Sequence, residues 1–126
     1  MRLYFDGGCI PNPGKMEVAV VSDDGSVREH AKIHDGTNNE AEWFAFLWAV
    51  EIAQTKGWDD LTISGDSALV INQAQGLWRI NAPNLQHYKK NFDEMRPSFK
   101  SLKLVHVRRH LNPAGIYIEQ LQSGRS

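Results

Sequence analysis

Apolar and polar positions alternate over the first part of the chain and then change to a helical period. "RLYF" (2–5) alternates and predicts a strand that ends at Asp6. "EVAVVS" (17–22) is rich in β-formers, and "DDG" (23–25) marks a turn. In "SVREHAKIH" (26–34), Val27, Glu29, Ala31 and Ile33 share one parity, which predicts the last strand of an antiparallel meander.

The period changes in "TNNEAEWFAFLWAVEIAQTKG" (37–57). Thr37 and Glu40 are spaced for a capping box, and Gly57 is placed to stop the helix. Ala41, Phe44, Ala45, Trp48 and Ile52 form one apolar stripe, while Trp43, Phe46, Leu47, Val50 and Ala53 form another. A helix apolar around most of its girth is buried on more than one side, so this one should be central. "LTISGD" (61–66) predicts a strand and "SALVINQAQ" (67–75) a helix, and "GLWRINAP" (76–83) breaks the pattern. From Pro83 a further helix carries Leu85, Tyr88, Phe92, Met95 and Phe99 on one side. "LKLVHV" (102–107) is the last strand, and "PAGIYIEQL" (113–121) a final helix opening on proline.

The order βββαβααβα predicts an α/β fold, a mixed sheet with helices on its faces, in a single domain spanning 1–126. Ligand sites in such sheets collect at the carboxyl ends of strands, where this reading puts both Asp6 and Asp66.

Composition narrows the class only a little. The hydrophobic fraction of 41% and charged fraction of 23% are those of an ordinary globular protein. A single cysteine, Cys9, excludes an internal disulfide and reads as a buried thiol. No apolar run is long enough to span a membrane and no signal-peptide pattern opens the chain, so the expectation is a cytoplasmic protein without a membrane partner. Charge is unevenly spread: residues 79–110 carry eight basic groups against Asp93 and Glu94, a net of +6, and the remainder is −7. That split suits a polyanion together with a metal, and equally a solvated helix face.

Acidic residues carry the candidate chemistry. Asp6 reads as a turn former or a site residue, and Asp66 as the N-cap of the next helix or a site residue. Glu42 sits on the first turn of a largely apolar helix, where a carboxylate needs an exposed patch or a partner; favourable interaction with the helix dipole is the structural alternative. If the three converge they repel unless cations bridge them. A set of hard oxygen donors suits Mg²⁺ or Mn²⁺. Two such ions would support phosphodiester hydrolysis without a covalent intermediate.

"DGGCIPNPG", "TNNEAE" and "GDS", in that order on a βββαβα frame and followed by "VHVRRHLNPAG", resemble type 1 ribonuclease H. The resemblance covers nearly the whole chain. It implies a five-stranded mixed sheet flanked by helices, and cleavage of the RNA strand of RNA–DNA hybrids by an Asp-Glu-Asp-Asp set with Mg²⁺. Asp6, Glu42 and Asp66 match the first three acids. The resemblance also implies that Gly7, Gly8, Cys9 and Asn12 meet the RNA strand, where small side chains let backbone approach a ribose. Asn38, Asn39 and Gln73 resemble groove contacts of the family, or serve as helix and turn polar groups.

The pattern departs from the family at its fourth acid. Where relatives read Asn, two residues, Ala-Asp, "NPAGI" places Gly115 and Ile116. Glu119, a helical turn after Ile116, is the expected replacement ligand, with Asn112 as a neutral substitute. His110 stands where relatives carry a histidine thought to shuttle protons or release product, and His106 reads as structural. The short "GLWRINAPN" resembles the compact branch without a basic protruding helix, with Trp78 and Arg79 set to contact the DNA strand. The competing readings are a non-catalytic binding module for hybrid or double-stranded nucleic acid and a DNA nuclease of the wider superfamily.

Overall fold

The computed structural model describes residues 1–124. Three strands open the chain: β1 (Arg2–Cys9), β2 (Gly14–Ser22) and β3 (Arg28–Gly36). Then come α1 (Asn38–Lys56), β4 (Asp60–Gly65), α2 (Ala68–Ala74), α3 (Pro83–Met95), β5 (Ser101–His106) and α4 (Pro113–Ser123). The strands form one sheet in the order β3-β2-β1-β4-β5. β1 pairs antiparallel with β2, and β2 with β3, whereas β4 runs parallel to both β1 and β5. This is the mixed α/β sheet that the order of elements predicts.

α1 is central, as its two apolar stripes require. It packs on β1 and β2 and against α3, and Trp43, Phe46, Ala49 and Val50 are fully buried. Thr37 caps its start by accepting from the Glu40 amide (3.2 Å), and Gly57 ends it in the left-handed region (φ 72°). The other half of the expected capping box is replaced: the Glu40 carboxylate accepts instead from Asn84 Nδ2 at the start of α3 (3.0 Å). α3 buries Leu85, Tyr88 and Phe92 as its period predicts. Phe99 lies beyond it, after a 3-10 turn (Arg96–Ser98) that contains Pro97, yet still packs on the core. α4 covers the opposite face of the sheet through Ala114 and Ile118, which meet Ala19.

β1 is longer than its sequence pattern suggests. The strand does not end at Asp6 but pairs on with β2 through Cys9↔Met16, leaving only residues 10–13 as a connection. The glycines that read as loop are strand residues. A Cβ on Gly7 would lie 2.2 Å from the Ala41 carbonyl oxygen, so Gly7 is what lets the first turn of α1 rest on the strand. β4 pairs with β1 only as far as Phe5↔Gly65. From Asp6 onward β1 therefore has a neighbour on one side only, and the sheet has a notch there.

Candidate active site

Three elements aim carboxylates at that notch. Asp6 comes from the face of β1 opposite Phe5 and Gly7, Glu42 from the first turn of α1, and Asp66 from the residue after β4. One oxygen of each lies within 4.8 Å of the others. Ser67, not Asp66, caps α2 by accepting from the Val70 amide (3.2 Å), so Asp66 is free of the capping role. Asn112 is fully buried and fixes Asp66 from below: its Nδ2 donates to the Phe5 carbonyl (3.0 Å) and to Asp66 Oδ2 (3.3 Å). Its Oδ1 caps α4 by accepting from the Ala114 amide (3.1 Å). The same residue thus starts α4 and braces the acid.

The electrostatics are those of a cluster short of positive charge. Asp6 is pushed up to about 7, chiefly by burial and then by Asp66, with Arg109 pulling the other way and Glu42 adding to the rise. Glu42 is also pushed up to about 7, chiefly by burial; a hydrogen bond from Ser67 opposes this, Asp66 adds to the rise, and Arg109 opposes it.

Asp6 and Glu42 floor one end of a cleft of about 670 Å³, whose walls include Gly8, Cys9, Asn38, Asn39 and Arg109. Asn38 ties the end of β1 to the start of α1: its Oδ1 accepts from the Cys9 amide (2.9 Å), and its own amide donates to Asn12 Oδ1 (3.2 Å). Cys9 is buried, with Sγ 3.5 Å from Asn12 Oδ1, the Gly36 carbonyl and Asn38 Oδ1. Asn12 and Asn39 both line an adjoining depression with Asn84. Trp78 and Arg79 are exposed on the loop after α2.

Other expected site residues are placed differently. Gln73 is buried in the core, where its Oε1 accepts from the Trp43 indole (2.9 Å) and its Nε2 donates to the Arg79 carbonyl (3.3 Å). It cannot reach a groove because α1 packs over it. Glu119 is outside the carboxylate group and faces Arg109 (3.7 Å), because α4 directs it to the cleft wall and not the notch. Asn112 has its oxygen engaged by the helix it caps, so it braces Asp66 rather than standing in as a ligand. His110 is exposed on the 3-10 turn Arg109–Leu111 and is absent from the cleft walls; its neighbour Arg109 takes that place. His106 is structural, donating from Nε2 to the Asp66 carbonyl (3.2 Å).

Sequence reasoning missed Arg109, Lys15 and Lys32. It counted Arg109 only as part of a basic segment, yet the cleft's other basic side chains, Lys15 and Lys32, come from β2 and β3 in the acidic part of the chain. The signal for the two lysines lay in strand register, which a linear charge count does not contain.

Residues 5–116 match the family model described as "Reverse transcriptase-like". The chain is 37% identical over 116 residues to Ribonuclease HI of Halobacterium salinarum, a match covering 89% of this chain and 58% of that protein. The chain thus spans less than two thirds of the curated relative's length. The crystal structure of RNase H1 from the same archaeon superposes with a TM-score of 0.85 at 34% identity, covering 97% of each chain. The chain belongs to the type 1 ribonuclease H family. A second ribonuclease H of known structure, LC11-RNase H1 in complex with an RNA/DNA hybrid, superposes with a TM-score of 0.83 at 28% identity, covering 99% of each chain.

Proposed function

We propose that this chain is a single-domain, metal-dependent endonuclease that hydrolyses the RNA strand of RNA–DNA hybrids by a two-metal mechanism. The observation that carries this reading is the convergence of Asp6, Glu42 and Asp66 within 4.8 Å at the notch of a ribonuclease H sheet. The hybrid bound by LC11-RNase H1 supports the choice of substrate.

The donor set fits divalent ions. All three groups offer hard oxygens, and the raised positions of Asp6 and Glu42 mark a cluster that lacks compensating charge. Asp6, Glu42 and Asp66 would hold Mg²⁺ or Mn²⁺, which when bound supplies Lewis-acid activation of water and stabilisation of the leaving oxygen. The remaining work falls to the chain. Asn112 and Ser67 orient Asp66 and Glu42 through hydrogen bonds. Gly8 and the backbone of Cys9 leave room for a ribose, and Asn38 and Asn39 offer amides to base edges at the same wall. Asn12 holds that wall, and Gly7 acts through the seating of α1. Trp78 and Arg79 are free to stack on and pair with the DNA strand. His110, exposed on the turn beside Arg109, is the candidate for proton shuttling or product release. No helix among the described residues is long and apolar enough to cross a membrane, and a cytoplasmic setting suits the lone reduced thiol.

A second reading is a hybrid-binding module without chemistry. It is favoured by one observation: among the described residues three acids share the notch, and Ile116 stands at the family's aspartate position, 40% exposed. Labelled RNA–DNA, DNA–DNA and RNA–RNA duplexes in Mg²⁺ and in Mn²⁺ separate the readings. The enzyme cuts only the RNA of the hybrid. A hybrid bound and left intact in both metals supports the module, and cut DNA–DNA supports a DNA nuclease.

A further inference from the structure

Arg109 and Glu119 stand on different elements, the 3-10 turn after β5 and the middle of α4. Their side chains approach to 3.7 Å (Nη2–Oε1) and are 67% and 59% exposed. So exposed a pair adds little to stability, yet both residues line the cleft that contains Asp6 and Glu42. Glu119 is the acidic residue of α4, and it lies outside the group of carboxylates within ligand reach of one another. The start of α4 is pressed against that group: a Cβ on Gly115 would come within 3.4 Å of Asp6 Oδ2.

We propose that Glu119 is a positioning residue and not a metal ligand, its carboxylate holding the Arg109 guanidinium at the cleft wall, where that guanidinium receives a phosphate of the substrate strand. The identity of the phosphate as part of a nucleic-acid strand rests on the function proposed above. The physical case is one of competing attractions. A guanidinium that shares a cleft with Asp6 and Glu42 and has no other acid to hold it is drawn onto them, where it would neutralise the site and be lost to the substrate. A carboxylate on its other side offsets that pull. Guanidinium has five N–H donors in a planar fork, so engaging Glu119 leaves donors for a phosphate oxygen. This pairing accounts for an acid in the cleft that contributes no ligand, and for a basic residue in a cleft whose floor is acidic.

Two titrations test the assignment without relying on turnover. The first measures binding of a fluorescent RNA–DNA hybrid in EDTA, where no cutting occurs. Arg109→Ala should weaken binding by roughly tenfold and Glu119→Ala by about fivefold, since each removes or displaces a charge-assisted contact. Glu119→Ala should add nothing once Arg109 is already alanine, and Glu119→Gln should restore part of the loss. The second measures Mn²⁺ binding by calorimetry. Glu119→Ala should bind within about twofold of the parent, while Asp66→Asn should lose at least about tenfold. The proposal is overturned if Glu119→Ala loses Mn²⁺ as Asp66→Asn does, if the two substitutions multiply in hybrid binding, or if Arg109→Ala binds hybrid as the parent does. A parent that binds Mn²⁺ but no hybrid sinks the proposed function instead, and the Mn²⁺ titration of Glu119→Ala still decides whether that residue is a ligand.

Discussion

Glu42 and Trp43 are adjacent on α1 and take part in two polar clusters of opposite character, that of Glu42 half-buried and that of Trp43 buried. Trp43 turns into the core and meets Gln73 of α2, whose amide goes on to the Arg79 carbonyl, so each polar atom of the chain indole–amide–carbonyl has a partner. Glu42 turns to the notch and meets Asp6 and Asp66, and there burial leaves two carboxyls pushed up to about 7. The same pair of helices serves both, since Ser67 at the start of α2 bonds Glu42 and Gln73 near its end bonds Trp43. The first cluster is complete within the fold and specifies structure. The second is complete only with cations from outside, and that incompleteness points to function.

Substitutions should divide along this line. The largest effect belongs to Asp66→Asn, which should lower hybrid hydrolysis by at least about a thousandfold, roughly 4 kcal/mol of transition-state stabilisation. Its circular dichroism and melting in EDTA should match or exceed those of the parent. Next comes Gly7→Ala. Its new Cβ would meet backbone, not a flexible side chain, so chemical denaturation should show a loss of about 3 kcal/mol. Gln73→Leu should cost on the order of 2 kcal/mol by leaving the Trp43 indole unpaired in the core, with turnover per folded molecule retained. If Gln73→Leu instead kept full stability and lost hybrid binding, the division between the clusters would be wrong. The smallest effect is that of Glu40→Gln, whose amide still accepts from Asn84; hydrolysis should stay within about twofold of the parent.

Much of the fold was legible because its signals are local. The apolar girth of α1, the glycine that ends it and the run of β-formers in β2 each follow from neighbours in sequence. The trio was legible for a related reason: Asp6 follows the apolar run that opens β1, Glu42 interrupts the apolar girth of α1 in its first turn, and Asp66 directly follows β4. What escaped depends on contacts made across the fold. Gly7 and Gly8 have loop composition, yet both are strand residues, and the close seating of α1 explains the first of them. Gln73 looked like a groove residue because nothing in its own helix announces the Trp43 indole, which arrives from thirty residues away. Glu119 shares a helical face with Ile116, but spacing does not reveal that it meets Arg109 of the preceding 3-10 turn. Lys15 and Lys32 join the cleft through strand pairing alone.

An acidic cluster strained until cations complete it makes the stability of the metal-free protein depend on pH. A carboxyl whose pKa rises on folding stays protonated in the folded chain while ionised in the unfolded chain, here between its ordinary value of about 4 and about 7. The metal-free protein therefore holds this stability below pH 4 and loses it as pH rises through 7. Thermal melting of the parent and of Asp6→Asn, in EDTA at pH 5 and pH 8 and again in excess Mg²⁺ at pH 8, reads the effect. In EDTA at pH 8 Asp6→Asn should melt higher by on the order of 2 kcal/mol, about 8 °C. The gap should shrink at pH 5, and Mg²⁺ should raise the parent more than the variant. An Asp6→Asn protein that melts below the parent at pH 8 in EDTA, or a gap indifferent to pH and Mg²⁺, would contradict that strain.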